Sequence, residues 1–316
     1  SSKVLISMAK TKFCAGISDI SDSYMGMIID QWGVLHDGDA AFDGVVECLK
    51  ELKERKKTII MLSNTINRAD AAKAELKKMG IGPSLYQYML TTGELIWQGL
   101  KDQEGVFEGL GRDCYLFSKT GDSELVHDND IDVVSDINNA KFILVTGMPK
   151  GENLADLEGI LRKGVQKRLK MVCAHPDSKA LISADYLMGP GLLARKYQDF
   201  GGIVHYIGKP HQPIFRHCIE YFQKKEIYPA QTVVIGDTFA HDILGGNAAG
   251  MDTCLVKTGM HMANFAHCET LKEVDVALKN LMALYNNVMP TYLVDEFKWG
   301  VALPDRKHKK RKQPGK

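Results

Sequence analysis

Four short segments bring together residue types that suit one kind of chemistry. MIID ends at Asp30, IIMLSN at Ser63 and Asn64, and VVIGD at Asp237, while Lys209 follows VHYIG. Each run before the polar residue is apolar and strand-sized, so each polar group stands where a buried strand stops. In an open parallel sheet, ligands bind beyond the carboxyl ends of the strands, so these residues are expected to converge on one crevice. Two carboxylates, a hydroxyl, an amide and an ammonium suit a cation held together with a phosphate. Oxygen donors select a hard ion such as Mg2+, which offsets the charge of carboxylate and phosphate at once. An aspartate so placed can attack phosphorus and form an aspartyl-phosphate. Lys209 and the Ser63 and Asn64 donors would stabilise charge on the transferring group.

Taken singly, each residue has a plainer reading. A strand-end Asp237 caps the following helix, a Ser63-Asn64 pair makes a turn, and a lone Lys209 is solvated. Their shared position after strand-like runs argues for a site.

The elements that must position them alternate from Met25 onward, which predicts an α/β fold with a mainly parallel sheet. Strands are expected at 25–30 and 58–64, with helices over 44–57 and 68–80, the second ending at Gly80. A second group covers roughly 96–205: strand 142–147, helix 153–167 and strand 170–177. The first pattern then returns with strand 204–208, helix 212–225, strand 232–237, helix 242–251 and strand 253–259. A last helix, 271–286, precedes Pro290 and the tail. The expected division is a core from 1–95 and 206–300, an inserted domain over 96–205, and a basic, disordered tail over 301–316.

In order and spacing these segments resemble the haloacid dehalogenase superfamily, and within it the class IIA phosphatases of nucleotides, sugar phosphates and pyridoxal phosphate. DQWGVLHDG (30–38) is similar to motif one, LSNT (62–65) to motif two, GKP (208–210) to the motif-three lysine and GDTFAHDILGGNAAGM (236–251) to motif four. CAHPD (173–177) and GPG (189–191) resemble segments that precede that lysine, so the likeness runs from about Met25 to Gly259. The resemblance implies a Rossmann-like core with an inserted class II (C2) cap over the middle of the chain, and a Mg2+-dependent phosphohydrolase acting on a small phosphorylated metabolite. It implies Asp30 as nucleophile and metal ligand, the Trp32 backbone carbonyl and Asp237 as further ligands, and Ser63 and Asn64 as phosphate holders. Lys209 would bridge nucleophile and phosphate, with Asp242 in support.

Motif one departs from the family pattern. Superfamily phosphatases generally carry a second aspartate two residues after the nucleophile, as acid for the leaving group and base for water; here that position is Trp32. Indole exchanges no proton near neutral pH, and losing general acid–base help lowers rates by about 10²–10⁴-fold. His36, Asp37 and His241 are the nearby groups to weigh as replacements. Trp32 itself is expected to pack at the hinge between cap and core, with stacking on a substrate ring as the alternative. The rival to a slow phosphatase is a catalytically weak protein of the same fold that serves as a structural or regulatory subunit.

Composition narrows the remaining classes. The chain of 316 residues is 45% hydrophobic and 25% charged, enough apolar material for buried cores. Its longest apolar runs are strand-sized, so no membrane insertion is expected. Seven cysteines form no C-x-x-C pair and read as buried thiols of an intracellular, reducing compartment, with cytoplasm and mitochondrial matrix not distinguished. The glycines of GGNAAG lack the G-x-G-x-x-G order of a dinucleotide fold, and the histidines lack zinc-ligand spacing. Net charge is +1, yet seven of the 40 basic residues and none of the 39 acidic ones fall in Arg306–Lys316. That tail leaves open a contact with nucleic acid or a macromolecular assembly. A homodimer is the other partner to consider.

Overall fold

The computed structural model describes residues 10–300 except 175, 178, 183 and 184; the basic tail and part of the CAHPD segment lie outside the described residues. The strands are β1 (Lys12–Phe13), β2 (Gly26–Asp30), β3 (Thr58–Ser63), β4 (Tyr88–Thr91), β5 (Asp113–Phe117), β6 (Asp132–Val133), β7 (Phe142–Val145), β8 (Lys170–Cys173), β9 (Lys179–Ile182), β10 (Asp185–Met188), β11 (Ile203–Tyr206), β12 (Thr232–Gly236), β13 (Asp252–Val256) and β14 (Tyr292–Val294). Among the described residues they form a seven-stranded sheet in the order β1-β14-β13-β12-β2-β3-β4, a five-stranded sheet in the order β11-β8-β7-β5-β6, and the antiparallel pair β10-β9. Every pairing within the two large sheets is parallel.

Strand periodicity divides the core. Met27, Ile29, Ile59 and Met61 point into one buried cluster with Leu49 and Leu52 of helix Val45–Glu54 and Leu76 of helix Ala69–Lys78. Their neighbours Ile28, Ile60 and Leu62 point the other way, into a cluster that also takes Phe142, Leu144 and Val172 of the second sheet and Phe215 and Phe222 of helix Gln212–Gln223. Side chains alternate across a strand, so a central strand covered on both faces reads as an unbroken apolar run. Each fully buried aliphatic side chain contributes roughly 1.5–3 kcal/mol. The second cluster joins the two sheets into one apolar interior. It also takes in Leu95, Ile96 and Leu100 of helix Thr92–Asp102, whose first turn is capped by Thr91 Oγ1 accepting from Glu94 N–H.

Three expectations differ from the structure. The strand expected at 204–208 forms at Ile203–Tyr206 but pairs with β8, so it closes the second sheet and does not reopen the first. Its end is held there because the Ile207 and Gly208 N–H groups donate to the Cys173 and Ala174 carbonyls, and Lys209 therefore enters the crevice from the second sheet. The helix expected at 242–251 starts earlier, as a π-turn Phe239–Ile243 followed by helix Leu244–Ala248. After Pro290 the chain adds an edge: β14 pairs with β13 and receives β1 on its far side. The Tyr24 hydroxyl locks this edge, donating to Asp252 Oδ2 at 2.6 Å and lying 3.0 Å from the Tyr292 hydroxyl. No helix among the described residues is long and apolar enough to cross a membrane.

Candidate active site

Asp30 ends β2, Asp237 follows β12 directly, and Asp242 lies in the π-turn beyond it. Since β12 and β2 are adjacent and parallel, with Ile235 beside Ile29, the two strands deliver their terminal carboxylates side by side. Ligand atoms of Asp30, Asp237 and Asp242 all lie within 4.8 Å of one another, a set able to hold a metal ion. Lys209, only 2% exposed, places its Nζ 2.8 Å from Asp30 Oδ1 and 2.7 Å from Asp242 Oδ1. Burial disfavours its charge, but Asp242 and Asp30 outweigh burial and hold the ammonium above the ordinary lysine range.

The carboxylates are balanced less evenly. Burial, then the charges of Asp30 and Asp242, push Asp237 well above the ordinary carboxylate range, although Met260 N–H and the Thr238 hydroxyl pull the other way. Burial also raises Asp242, while Lys209 opposes it. One ammonium thus faces three carboxylates, which leaves an excess of negative charge in a buried place.

Close backbone approach fixes these groups. Asp237 Oδ2 accepts from Met260 N–H at 2.7 Å, and Oδ1 from Thr238 Oγ1 at 2.9 Å. Gly33 (φ 79°) and Gly259 (φ 75°) press against Oδ2, where an added Cβ would stand 2.3 and 2.1 Å away. Both conformations belong to the left-handed region, so glycine is required twice over. Asp242 Oδ2 accepts from Thr238 N–H at 3.2 Å, and a Cβ on Gly236 would lie 2.0 Å from the Asp242 Cγ. Thr238, Met260, Gly33 and Gly259 were not among the site residues expected from sequence. The neighbourhood of Asp237 in VVIGDT gave the first a visible place; nothing local marked TGM (258–260), which reaches Asp237 only through folding.

Of the two residues ending the β3 segment, Ser63 accepts from Thr65 N–H at 3.2 Å on its Oγ, and its hydroxyl proton is not used in that contact. Asn64 is turned to another use. Its Oδ1 accepts from Lys209 N–H at 2.8 Å and its Nδ2 donates to the Lys209 carbonyl at 3.1 Å. The Asn64 side-chain amide therefore positions the lysine segment.

The groups weighed as replacements for an acid are largely committed. Asp37 Oδ1 accepts from the Asp39 and Ala40 N–H groups, both at 2.9 Å, forming a turn. His36 Nδ1 accepts from Gly38 N–H at 3.1 Å, and burial holds its pKa below the ordinary value. His241 of the π-turn pairs its Nε2 with Asp177 Oδ1 at 2.9 Å, joining the first sheet's crevice to the segment after β8.

Trp32 departs from its expected place. The residue is 47% exposed, with Nε1 donating to the Asp37 carbonyl at 3.1 Å, so its ring is fixed in place without being buried as a packing residue would be. The tight turn Gln31–His36 bends the chain back and leaves the large ring outside the core.

A family model described as haloacid dehalogenase-like hydrolase matches residues 27–132, and one described as HAD-hyrolase-like matches 206–282. The chain is 23% identical over 240 residues to 5'-nucleotidase YutF of Bacillus subtilis (strain 168), covering 75% of this chain and 89% of that one. It is 25% identical over 309 residues to chronophin of Homo sapiens, covering 89% and 93%. The crystal structure of a haloacid dehalogenase-like hydrolase from Brucella suis 1330 superposes with a TM-score of 0.69 at 20% identity, over 89% of this chain and 98% of that one. The two parallel sheets are thus the Rossmann-like core and the C2 cap of that fold.

Proposed function

We propose that the chain is a haloacid dehalogenase-superfamily hydrolase of class IIA, which hydrolyses a small phosphorylated metabolite through an aspartyl-phosphate on Asp30, with Mg2+ as cofactor. The observation that carries this reading is the Lys209 ammonium shared between Asp30 and Asp242, beside Asp237. Residues 1–95 and 206–300 would form the core and 96–205 the cap.

The donor set fits a hard divalent ion: all oxygen, with more negative charge than Lys209 balances. Asp30, Asp237 and the Trp32 carbonyl would hold it. Bound there, it supplies positive charge against the carboxylates and the phosphoryl oxygens.

The chain's own groups do the rest. A carboxylate oxygen of Asp30 forms a bond to phosphorus as the bond to the leaving oxygen breaks, and the leaving group departs with the electron pair. Lys209 offsets charge on the phosphoryl group, the Ser63 hydroxyl donates to it, and Asn64 holds Lys209 in place. Water then attacks phosphorus as the bond from phosphorus to Asp30 breaks, its proton passing to bulk water, which releases phosphate and restores the Asp30 carboxylate. Trp32 can neither protonate the leaving oxygen nor take a proton from that water, so turnover is slow for poor leaving groups. The nucleotidase named among the relatives supports a small phosphate monoester as substrate. The subunit reading rests on Trp32 and on the basic tail, which lies outside the described residues.

A Mg2+-dependent screen over phosphorylated metabolites tests the proposal. Hydrolysis is expected with the wild type and not with Asp30→Asn; equal activity in both would overturn it.

A further inference from the structure

We infer that the second sheet carries a separate binding site for a nucleotide-sized phosphorylated metabolite, in the crevice beyond the carboxyl ends of β5 and β7. The chain leaves β5 toward β6 on one side and leaves β7 toward β8 on the other, so the strand order reverses between them. Ligands of open α/β sheets bind at such a reversal. A cavity of about 540 Å³ lies there, lined by the loop after β5 and the loop after β7. That volume is within the roughly 300–1,000 Å³ of small-molecule pockets.

The lining is suited to an anion with a ring. Lys119 and Lys150 flank the cavity, and neither has an ion-pair partner among the described residues. Ser118, 4% exposed, has an Oγ with no hydrogen-bond partner. Buried hydroxyls are normally paired, so an unpaired one beside a cavity points to a missing acceptor or donor. Tyr115 and Leu157 give the apolar wall a ring requires, and Glu152 offers an acceptor for hydroxyl groups. The site is distinct from the Asp30 cluster: none of Asp30, Lys209, Asp237 and Asp242 lines the cavity, and Lys209 follows β11, two strand spacings from β7 and three from β5, or roughly 10–14 Å across the sheet.

The test is titration of adenosine 5'-monophosphate into the full chain in EDTA, where the uncompensated carboxylates of the Asp30 cluster repel an anion. Saturable binding is expected, equal in wild type and Asp30→Asn, at least about tenfold weaker in Lys119→Ala/Lys150→Ala, and weaker for adenosine. Hydrolysis by the double variant should be unchanged, which also reports an intact fold. Absence of saturable binding, binding indifferent to the double substitution, or adenosine binding as tightly as the monophosphate would each overturn the inference.

Discussion

Asn64 clasps the peptide of Lys209 from both sides, accepting from its N–H at 2.8 Å and donating to its carbonyl at 3.1 Å. Asn64→Ala would leave both backbone groups without that partner, at a cost of about 1–3 kcal/mol. Displacement of Lys209 should also lower kcat/KM by about tenfold or more. Thermal melts and steady-state kinetics check both; a variant with wild-type kcat/KM would show that the clasp does not position the lysine.

The glycines around Asp237 and Asp242 predict a second pattern. Gly259→Ala would place a Cβ 2.1 Å from Asp237 Oδ2 and force a side chain into a left-handed conformation. Metal affinity, followed by calorimetric titration, and turnover should fall together. Gly80→Ala, with open space around its Cβ position and φ of 87°, carries the backbone strain without touching the site. It should lower stability by about 1 kcal/mol and leave metal affinity unchanged.

Much of this was legible in the sequence because it follows from apolar runs ending in polar residues. Asp30 and Asp237 could be assigned to one crevice since a parallel sheet presents all its carboxyl ends at one edge. The clasp of Asn64 on Lys209 has no local sequence signal, because the two residues lie 145 positions apart and come from different sheets. Met260 donates through its backbone, which no side-chain pattern records. β14 is only three residues long, too short for its periodicity to stand out after Pro290.

The His241–Asp177 pair should make stability depend on pH. Burial works against the charge on His241, but Asp177 outweighs it and raises the folded-state pKa. The contribution is then fully present below the unfolded value of about 6.5 and lost as pH rises through the raised folded value. For a partly exposed pair it is on the order of 1 kcal/mol. Melting temperature should fall more steeply over that window in the wild type than in His241→Gln; identical pH profiles would refute the pairing.

Trp32 predicts a dependence on the leaving group. Because the indole is half-exposed, Trp32→Asp should cost only about 1 kcal/mol of stability. It should accelerate hydrolysis of alkyl phosphates by about 10²–10⁴-fold and that of p-nitrophenyl phosphate far less. Equal acceleration of both, or none in a folded variant, would show that the missing acid does not limit turnover.

The most direct measurement is intact-mass analysis of the chain quenched in acid during turnover of p-nitrophenyl phosphate with Mg2+. The account predicts an adduct of one phosphoryl group on Asp30, absent in Asp30→Asn and absent when the metal is chelated. Hydrolysis that proceeds with no adduct at Asp30, and persists in Asp30→Asn, would contradict it.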